Sequence, residues 1–195
     1  VSSLCTTSKS VCSHIFFKKF STFLLLLLRT TDIFFLMNKS KIKSMKLYNN
    51  VGRIFNELRE IGKDESKLLK VEDLIKFDQL HYCGIEAVDF AIKNTQINSN
   101  KSVLEIGSGI GGPARYIAYK TRASITALEL QADQHKIAVD LTKKCDLLKI
   151  VNHIKGDFLN YSWKNKKFDV VVSWLALYHI KNHNKLLKNC YKFKR

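Results

Sequence analysis

The stretch VLEIGSGIGGPARYIA, residues 103–118, joins a short apolar run to a helical pattern through a glycine-rich turn. The apolar run predicts a strand, and the segment from Pro113 onward predicts a helix, because proline is well tolerated at the first helical position. Gly107, Gly109 and Gly112 form the pattern GxGxxG, in which glycine permits a tight turn and close approach of a ligand to the backbone. The stretch therefore predicts a ligand-binding strand, turn and helix, although the glycines alone do not distinguish one ligand from another.

Short apolar runs alternate with helical patterns through the rest of the chain. Strands are predicted at residues 102–106, 124–130, 150–158 and 168–177. Helices are predicted between them at 113–121 and 131–145, after them at 182–195, and ahead of them at 50–62, 70–80 and 84–95. Alternation at this spacing is typical of parallel strands joined by right-handed crossovers. The predicted fold class is α/β, a Rossmann-like sheet of about four parallel strands preceded by N-terminal helices.

The first residues differ in composition from the rest of the chain. Residues 1–45 are predicted to be a leader, an untranslated stretch or a disordered segment, residues 46–98 an N-terminal helical cap, and residues 99–195 the ligand-binding domain. The longest uncharged apolar run is shorter than the roughly 20 residues that a membrane helix needs, so no stable membrane span is expected. A basic leader with few acids fits a mitochondrial presequence, whereas translation from Met37 or Met45 predicts a cytoplasmic protein, which is the preferred interpretation.

Charge and cysteine content narrow the possible functions. The formal charge of +16 arises from 33 basic and 17 acidic residues. The lysines are scattered and no arginine–aromatic module lies between them, which indicates a solvated basic surface rather than a nucleic-acid-binding protein. The five cysteines are odd in number and lack a CxxC pair, which argues against a disulfide framework or a zinc site, so no metal is expected. None of these features indicates an oligomeric state.

Three acidic positions help to distinguish the possible ligands. Glu105 lies two residues before Gly107, where nicotinamide-binding turns usually carry an apolar residue. Glu129 ends the second predicted strand, where a carboxylate can accept hydrogen bonds from ribose hydroxyls. The sequence KGDF after the third strand offers Asp157 to an adenine amino group and Phe158 as a packing wall. Since the carboxyl ends of parallel strands share one edge of a sheet, these side chains are expected to surround a single adenosyl-type ligand.

The motifs VLEIGSGIGGPARYIA, TALEL, KGDF and FDVVVSWLALYHI, in this order and spacing, resemble a class I S-adenosylmethionine-dependent methyltransferase. The similarity covers residues 48–195 and is strongest to the small-molecule branch that includes sarcosine/dimethylglycine and phosphoethanolamine N-methyltransferases. That resemblance implies N-terminal helices closing over an S-adenosylmethionine cofactor. It also implies a set of cofactor-binding residues, namely Glu105, Gly107, Ser108, Gly109, Glu129, Leu130, Asp157, Phe158, Ser173 and Trp174.

The same resemblance implies a small-molecule acceptor, most simply an amine. An amine must attack the methyl group as the free base, and His179, after the fourth strand, is the candidate general base, with Tyr178 beside it. The phosphoethanolamine enzymes place a catalytic histidine at a matching position. His81 and Tyr82 are predicted to bind the substrate, because aromatic walls attract methylated cations. Leu175 stands where some phosphoethanolamine enzymes have an acid, which argues against a phosphobase acceptor.

Two other functions stay open at this point. The family fold continues with three more strands, so the chain is expected to be truncated after strand four, with that strand as an exposed apolar edge. A truncated chain favours a non-catalytic adenosyl-binding fragment or pseudo-enzyme as the first alternative. A nicotinamide-dependent oxidoreductase is the second alternative, and Glu105 argues against it.

Overall fold

A computed structural model describes residues 52–64 and 66–195. The expectations for residues 1–45 lie outside this range. Three helices precede the sheet, namely α1 (Arg53–Glu60), α2 (Val71–Asp78) and α3 (Gly84–Thr95). The strands are β1 (Ser102–Ile106), β2 (Ser124–Glu129), β3 (Val151–Lys155) and β4 (Val170–Val172). The remaining helices are α4 (Gly112–Thr121) after β1, α5 (Ala132–Lys144) after β2, and α6 (His183–Phe193), which follows β4 and a short 3-10 turn (Leu177–His179).

The four strands form one parallel sheet in the order β3-β2-β1-β4. Leu104 at the centre of β1 pairs with Thr126 of β2 on one side and with Val171 of β4 on the other. Helices α4 and α5 provide the crossovers from β1 to β2 and from β2 to β3. This topology confirms the predicted Rossmann-like α/β fold with N-terminal helices ahead of the sheet.

Alternate residues of each strand enter two different hydrophobic cores. Val103 of β1 packs with Ile125 of β2 and with Val88 and Ile117 of α3 and α4, and all four are completely buried. Leu104 points to the opposite face, where the core also contains aromatic residues and α6. A strand alternates its side chains between faces, so a sheet covered on both sides requires these nearly continuous apolar runs.

The fourth strand is shorter than the sequence predicts. The apolar pattern predicts a strand from 168 to 177, but β4 ends at Val172 and the chain turns, with Leu175 at a positive φ of 55°. Residues 174–176 instead cross the glycine turn, where a side chain placed on Gly107 would come within 2.2 Å of the Ala176 Cβ. Hydropathy alone cannot separate a strand from an apolar segment that covers a site, because both are buried.

The outer edge of β4 is partly paired. Phe168 forms a parallel bridge with Lys194, its amide donates to the carbonyl of Phe193 at 2.7 Å, and its carbonyl accepts from the amide of Arg195 at 2.7 Å. The expected exposed edge is therefore covered at its beginning by the residues that follow α6. No helix in the described part of the chain is long and apolar enough to cross a membrane.

Candidate functional site

A cavity of about 640 Å³ lies at the carboxyl ends of the four strands. Its wall combines the glycine turn, the residues after β2, β3 and β4, the segment that follows α2, and the start of α6. This volume is within the usual range of small-molecule sites. The location agrees with the general position of ligands in open α/β sheets.

The glycine turn owes its shape to two separate steric requirements. Gly107 and Gly109 have φ of 71° and 55°, values that glycine adopts with least strain. Gly112 has an ordinary φ, but a Cβ there would lie 2.1 Å from the carbonyl oxygen of Asp78. The amides of Gly107 and Ser108 both donate to the carbonyl of Leu128, at 2.8 and 3.0 Å, which fastens the turn to β2.

Glu129 ties the end of β2 to the same turn. Its carboxylate accepts hydrogen bonds from the amides of Gly109 and Gln131, each at 2.8 Å. Burial raises the pKa of this carboxyl, while the two amides oppose that shift. Leu130 follows at the cavity wall and is partly exposed there. Both residues line the cavity, and their contacts with a ribose and an adenine stay predictions.

Glu105 is a buried acid whose carboxylate oxygens have no well-formed hydrogen bond within the described part of the chain. It is 1% exposed and lines the cavity, and neither carboxylate oxygen meets a hydrogen-bond donor at bonding geometry among the described residues. Burial raises its pKa from 4.5 to about 8, although the Arg115 guanidinium opposes this effect. An unpaired buried carboxyl is costly, so this position is suited to a ligand that brings a cation.

The loop after β3 supplies the next part of the wall. The Asp157 carboxylate accepts from the amide of Leu159 at 3.0 Å and from the side-chain amide of Asn160 at 2.7 Å. Phe158 lines the cavity and also belongs to the aromatic core around Trp163. The loop therefore presents a fixed carboxylate and an aromatic face, as the KGDF motif predicts.

The predicted acceptor residues separate into two groups. His81 and Trp174 stack with ring centroids 5.0 Å apart and line the cavity together with His179. Burial lowers the pKa of His179, which favours the neutral imidazole. Tyr82 and Tyr178, by contrast, are 71% and 62% exposed and are not part of the cavity wall.

Ser173 also has a different position from the one predicted. It is buried and outside the cavity wall, and its hydroxyl donates to the carbonyl of Ile106 at 2.8 Å. This bond joins the ends of β4 and β1. Ser173 therefore supports the strand that carries Trp174, instead of contacting the space where a cofactor would lie.

The part of the chain that carries most of the sheet matches a known protein family. Residues 104–195 match the family model described as a methyltransferase domain. This match covers slightly less than half of the chain. The sheet has the fold of the class I S-adenosylmethionine-dependent methyltransferases, so the predicted resemblance is confirmed.

Individual relatives agree with this assignment. The chain is 36% identical over 90 residues to a sterol 24-C-methyltransferase from Debaryomyces hansenii, covering 46% of this chain and 24% of the relative. It is 30% identical over 112 residues to a phosphoethanolamine N-methyltransferase from Plasmodium falciparum, covering 56% of this chain and 41% of the relative. A solved structure of phosphoethanolamine N-methyltransferase 2 from Haemonchus contortus superposes with a TM-score of 0.62 at 20% identity, over 83% of this chain and 34% of that chain. The chain thus spans less than half the length of each of these proteins.

The cavity wall also has residues that sequence reasoning missed. Asp78 ends α2 and contributes to the wall beside the glycine turn. Its signal was an acid four residues after the buried Leu74, on the apolar face of an amphipathic helix. Further polar residues of the wall are Gln134, Asn160, Lys181, Asn182 and Lys185. They come from three separate segments, so no local pattern groups them.

Proposed function

We propose that the protein transfers a methyl group from S-adenosylmethionine to a small-molecule amine. The observation that carries the proposal is the unpartnered, buried Glu105 carboxyl in the wall of the cavity that the glycine turn borders. A methyl donor with an ammonium group and a sulfonium centre would supply the missing positive charge. A nicotinamide dinucleotide carries two phosphates, and a buried carboxyl at this point offers them no positive charge.

The residues present fit the cofactor. Gly107 lines the cavity and, having no side chain, leaves its backbone open to a ligand. Glu129 retains free lone pairs beyond its two amide bonds and would accept hydrogen bonds from ribose hydroxyls. Asp157 would accept a hydrogen bond from the adenine amino group, with Leu130 and Phe158 packing on the ring. When bound, S-adenosylmethionine supplies an electrophilic methyl group on a positively charged sulfur.

The protein's part in such a transfer is positioning, desolvation and proton removal. His179 would accept a proton from the amine, because partial burial lowers the pKa of its imidazole and the ring lies in the cavity wall. The stacked rings of His81 and Trp174 would present an aromatic face to an amine or a methylated cation. The ring of Tyr178 lies beside that of His179, with centroids 3.8 Å apart, and Tyr178 would assist His179 from this position.

The choice of an amine acceptor rests on His179 and on the similarity to the phosphoethanolamine enzyme. A second acceptor class, a sterol, is favoured by the higher identity to a sterol 24-C-methyltransferase. A sterol needs a wide apolar cavity, whereas this wall carries several charged and amide side chains beside its aromatic pair. We therefore place the amine first and the sterol second.

The test begins with calorimetry on the full chain. S-adenosylhomocysteine is expected to bind and NAD is not, whereas binding of NAD alone would contradict the proposal. Transfer of a labelled methyl group is then measured with sarcosine, dimethylglycine, phosphoethanolamine and a sterol as separate acceptors. Methylation of an amine supports the proposal, methylation of the sterol alone supports the second acceptor, and binding without any transfer supports a non-catalytic adenosyl-binding module.

A further inference from the structure

Arg115 is the buried arginine of residues 52–64 and 66–195, and its ion-pair partner belongs to the cavity wall. Arg115 of α4 and Asp78 of α2 form an ion pair in which Nη2 lies 3.1 Å from Oδ2, and both side chains are fully buried. Arg115 also donates to the carbonyl of Ala138 at 3.4 Å and to the hydroxyl of Thr142 at 3.2 Å. The Thr142 hydroxyl contacts Nε2 of His153 at 2.8 Å. A polar network therefore runs from β3 through α5 and α4 to the end of α2.

Stability alone does not explain this arrangement. The removal of two charges from water is costly, and well-packed apolar residues often serve a fold equally well. Helix α2 is already fixed by an apolar cluster that includes Leu58, Leu74, Ile110 and Leu141. The ion pair adds a directional contact to this interface at Asp78, a residue of the cavity wall.

The position of Asp78 gives that contact a role. Its main-chain carbonyl lies against Gly112, and Asp78 is part of the cavity wall together with Leu80 and His81, which follow it in the chain. The His81 ring stacks on the ring of Trp174, which follows β4. The chain then turns through Cys83 with a φ of 62°. Residues 78–81 thus form one wall of the cavity, and Arg115 holds the end of it.

We propose that Asp78 and Arg115 are positioning residues, whose ion pair holds residues 78–81 over the cofactor cavity and keeps His81 stacked on Trp174. The proposal rests on the proposed function, because it takes S-adenosylmethionine as the ligand of this cavity. It assigns the pair no contact with the reacting atoms. Arg115 holds Asp78 in place, and Asp78 in turn holds the segment that it begins, residues 78–81.

Asp78→Asn removes the charge with little change of volume, and Asp89→Asn is its matched control. Asp89 of α3 accepts hydrogen bonds from the Tyr116 hydroxyl and pairs with Lys120, so it also joins the N-terminal helices to α4, but outside the cavity. Asp78→Asn is expected to weaken binding of S-adenosylhomocysteine by at least about tenfold in calorimetry, and Asp89→Asn by less than about twofold. Equal affinities for wild type and Asp78→Asn would overturn the positioning role, whereas a wild-type chain that fails to bind would contradict the proposed function.

Tryptophan emission without ligand tests the proposal independently of the function. Loss of the stack in Asp78→Asn should change the emission of the folded chain as His81→Ala does, and the double variant should show no additional change. Additive changes, or an unchanged emission in Asp78→Asn, would overturn the proposal. If Asp78→Asn does not fold, hydrogen exchange on the wild-type chain provides the test. Ligand should slow exchange at residues 79–82, and protection of the glycine turn alone would overturn the role.

Discussion

Glu129 at the end of β2 accepts a 2.8 Å hydrogen bond from the amide of Gly109, twenty residues earlier in the chain. This contact joins the carboxylate proposed to hold the ribose to the turn proposed to hold the methionine part. Among the hydrogen bonds that join the turn to the end of β2, this one directly links the two proposed halves of the cofactor site. Its loss should affect both.

Glu129→Gln tests this coupling. A glutamine side chain has one acceptor oxygen, so it cannot accept from both Gly109 and Gln131 in the same way. We expect the free energy of unfolding to fall by about 1–3 kcal/mol and the affinity for S-adenosylhomocysteine to fall with it. Asp140→Asn, at an exposed pair with Lys144 on α5, is the control and should leave both quantities unchanged. Unaltered ligand affinity in Glu129→Gln would contradict the proposed ribose contact.

Glu105 should make the stability of the ligand-free chain depend on pH. Its pKa is raised from 4.5 to about 8, so the folded chain keeps a proton in this interval that the unfolded chain has lost. The free energy of unfolding should therefore fall between pH 4.5 and 8, by at most about 1.4 kcal/mol per pH unit, and level off above pH 8. Urea unfolding at several pH values should show a weaker decline for Glu105→Gln. Parallel profiles for this variant and wild type would exclude the effect, and the exposed Glu60→Gln serves as control.

Gly107→Ala should disrupt the turn. The new methyl group would lie 2.2 Å from the Ala176 Cβ, and φ at this position is 71°. We expect the free energy of unfolding to fall by at least about 2 kcal/mol, with loss of ligand binding. Gly52→Ala has nothing within 4 Å of the added Cβ and should change stability by less than about 1 kcal/mol. If Gly107→Ala keeps the wild-type melting temperature and ligand affinity, the close contact of residues 174–176 with the glycine turn is not needed for stability or binding.

Trp174 should report ligand binding. It lines the cavity, whereas Trp163, the other tryptophan, lies in the aromatic core with Phe168. Titration with S-adenosylhomocysteine is expected to change the fluorescence of wild type and of Trp163→Phe. Trp174→Phe should lose most of this change while still binding in calorimetry. Retention of the full signal in Trp174→Phe would place the ligand elsewhere.

His179→Ala should separate chemistry from cofactor binding. If His179 removes the amine proton, turnover with a responsive amine should fall by about 10²–10⁴-fold. The affinity for S-adenosylhomocysteine should stay within about twofold, because His179 acts on the acceptor. His183→Ala, at the start of α6 and outside the cavity wall, is the control. Unchanged turnover in His179→Ala would remove this residue from the mechanism.

Sequence patterns were most reliable where a residue's environment depends on its neighbours along the chain. The strand runs, the glycine turn and Glu105 could be read directly, because strand and helix periods and φ preferences are local properties. The predictions were wrong where a residue is buried for a reason other than the one that the sequence pattern indicated. The apolar segment after Val172 covers a turn, and Ser173 bonds to a neighbouring strand at Ile106.

The sequence by itself determined the α/β class, the parallel order of strand and helix and the acids at the strand ends. Tertiary structure alone decided that Asp78 meets Arg115, that His81 stacks on Trp174, and that Tyr82 and Tyr178 face outward. The physical reason is that these contacts join residues from distant parts of the chain. These pairs come together only when the N-terminal helices pack across the sheet, and no local pattern specifies that packing.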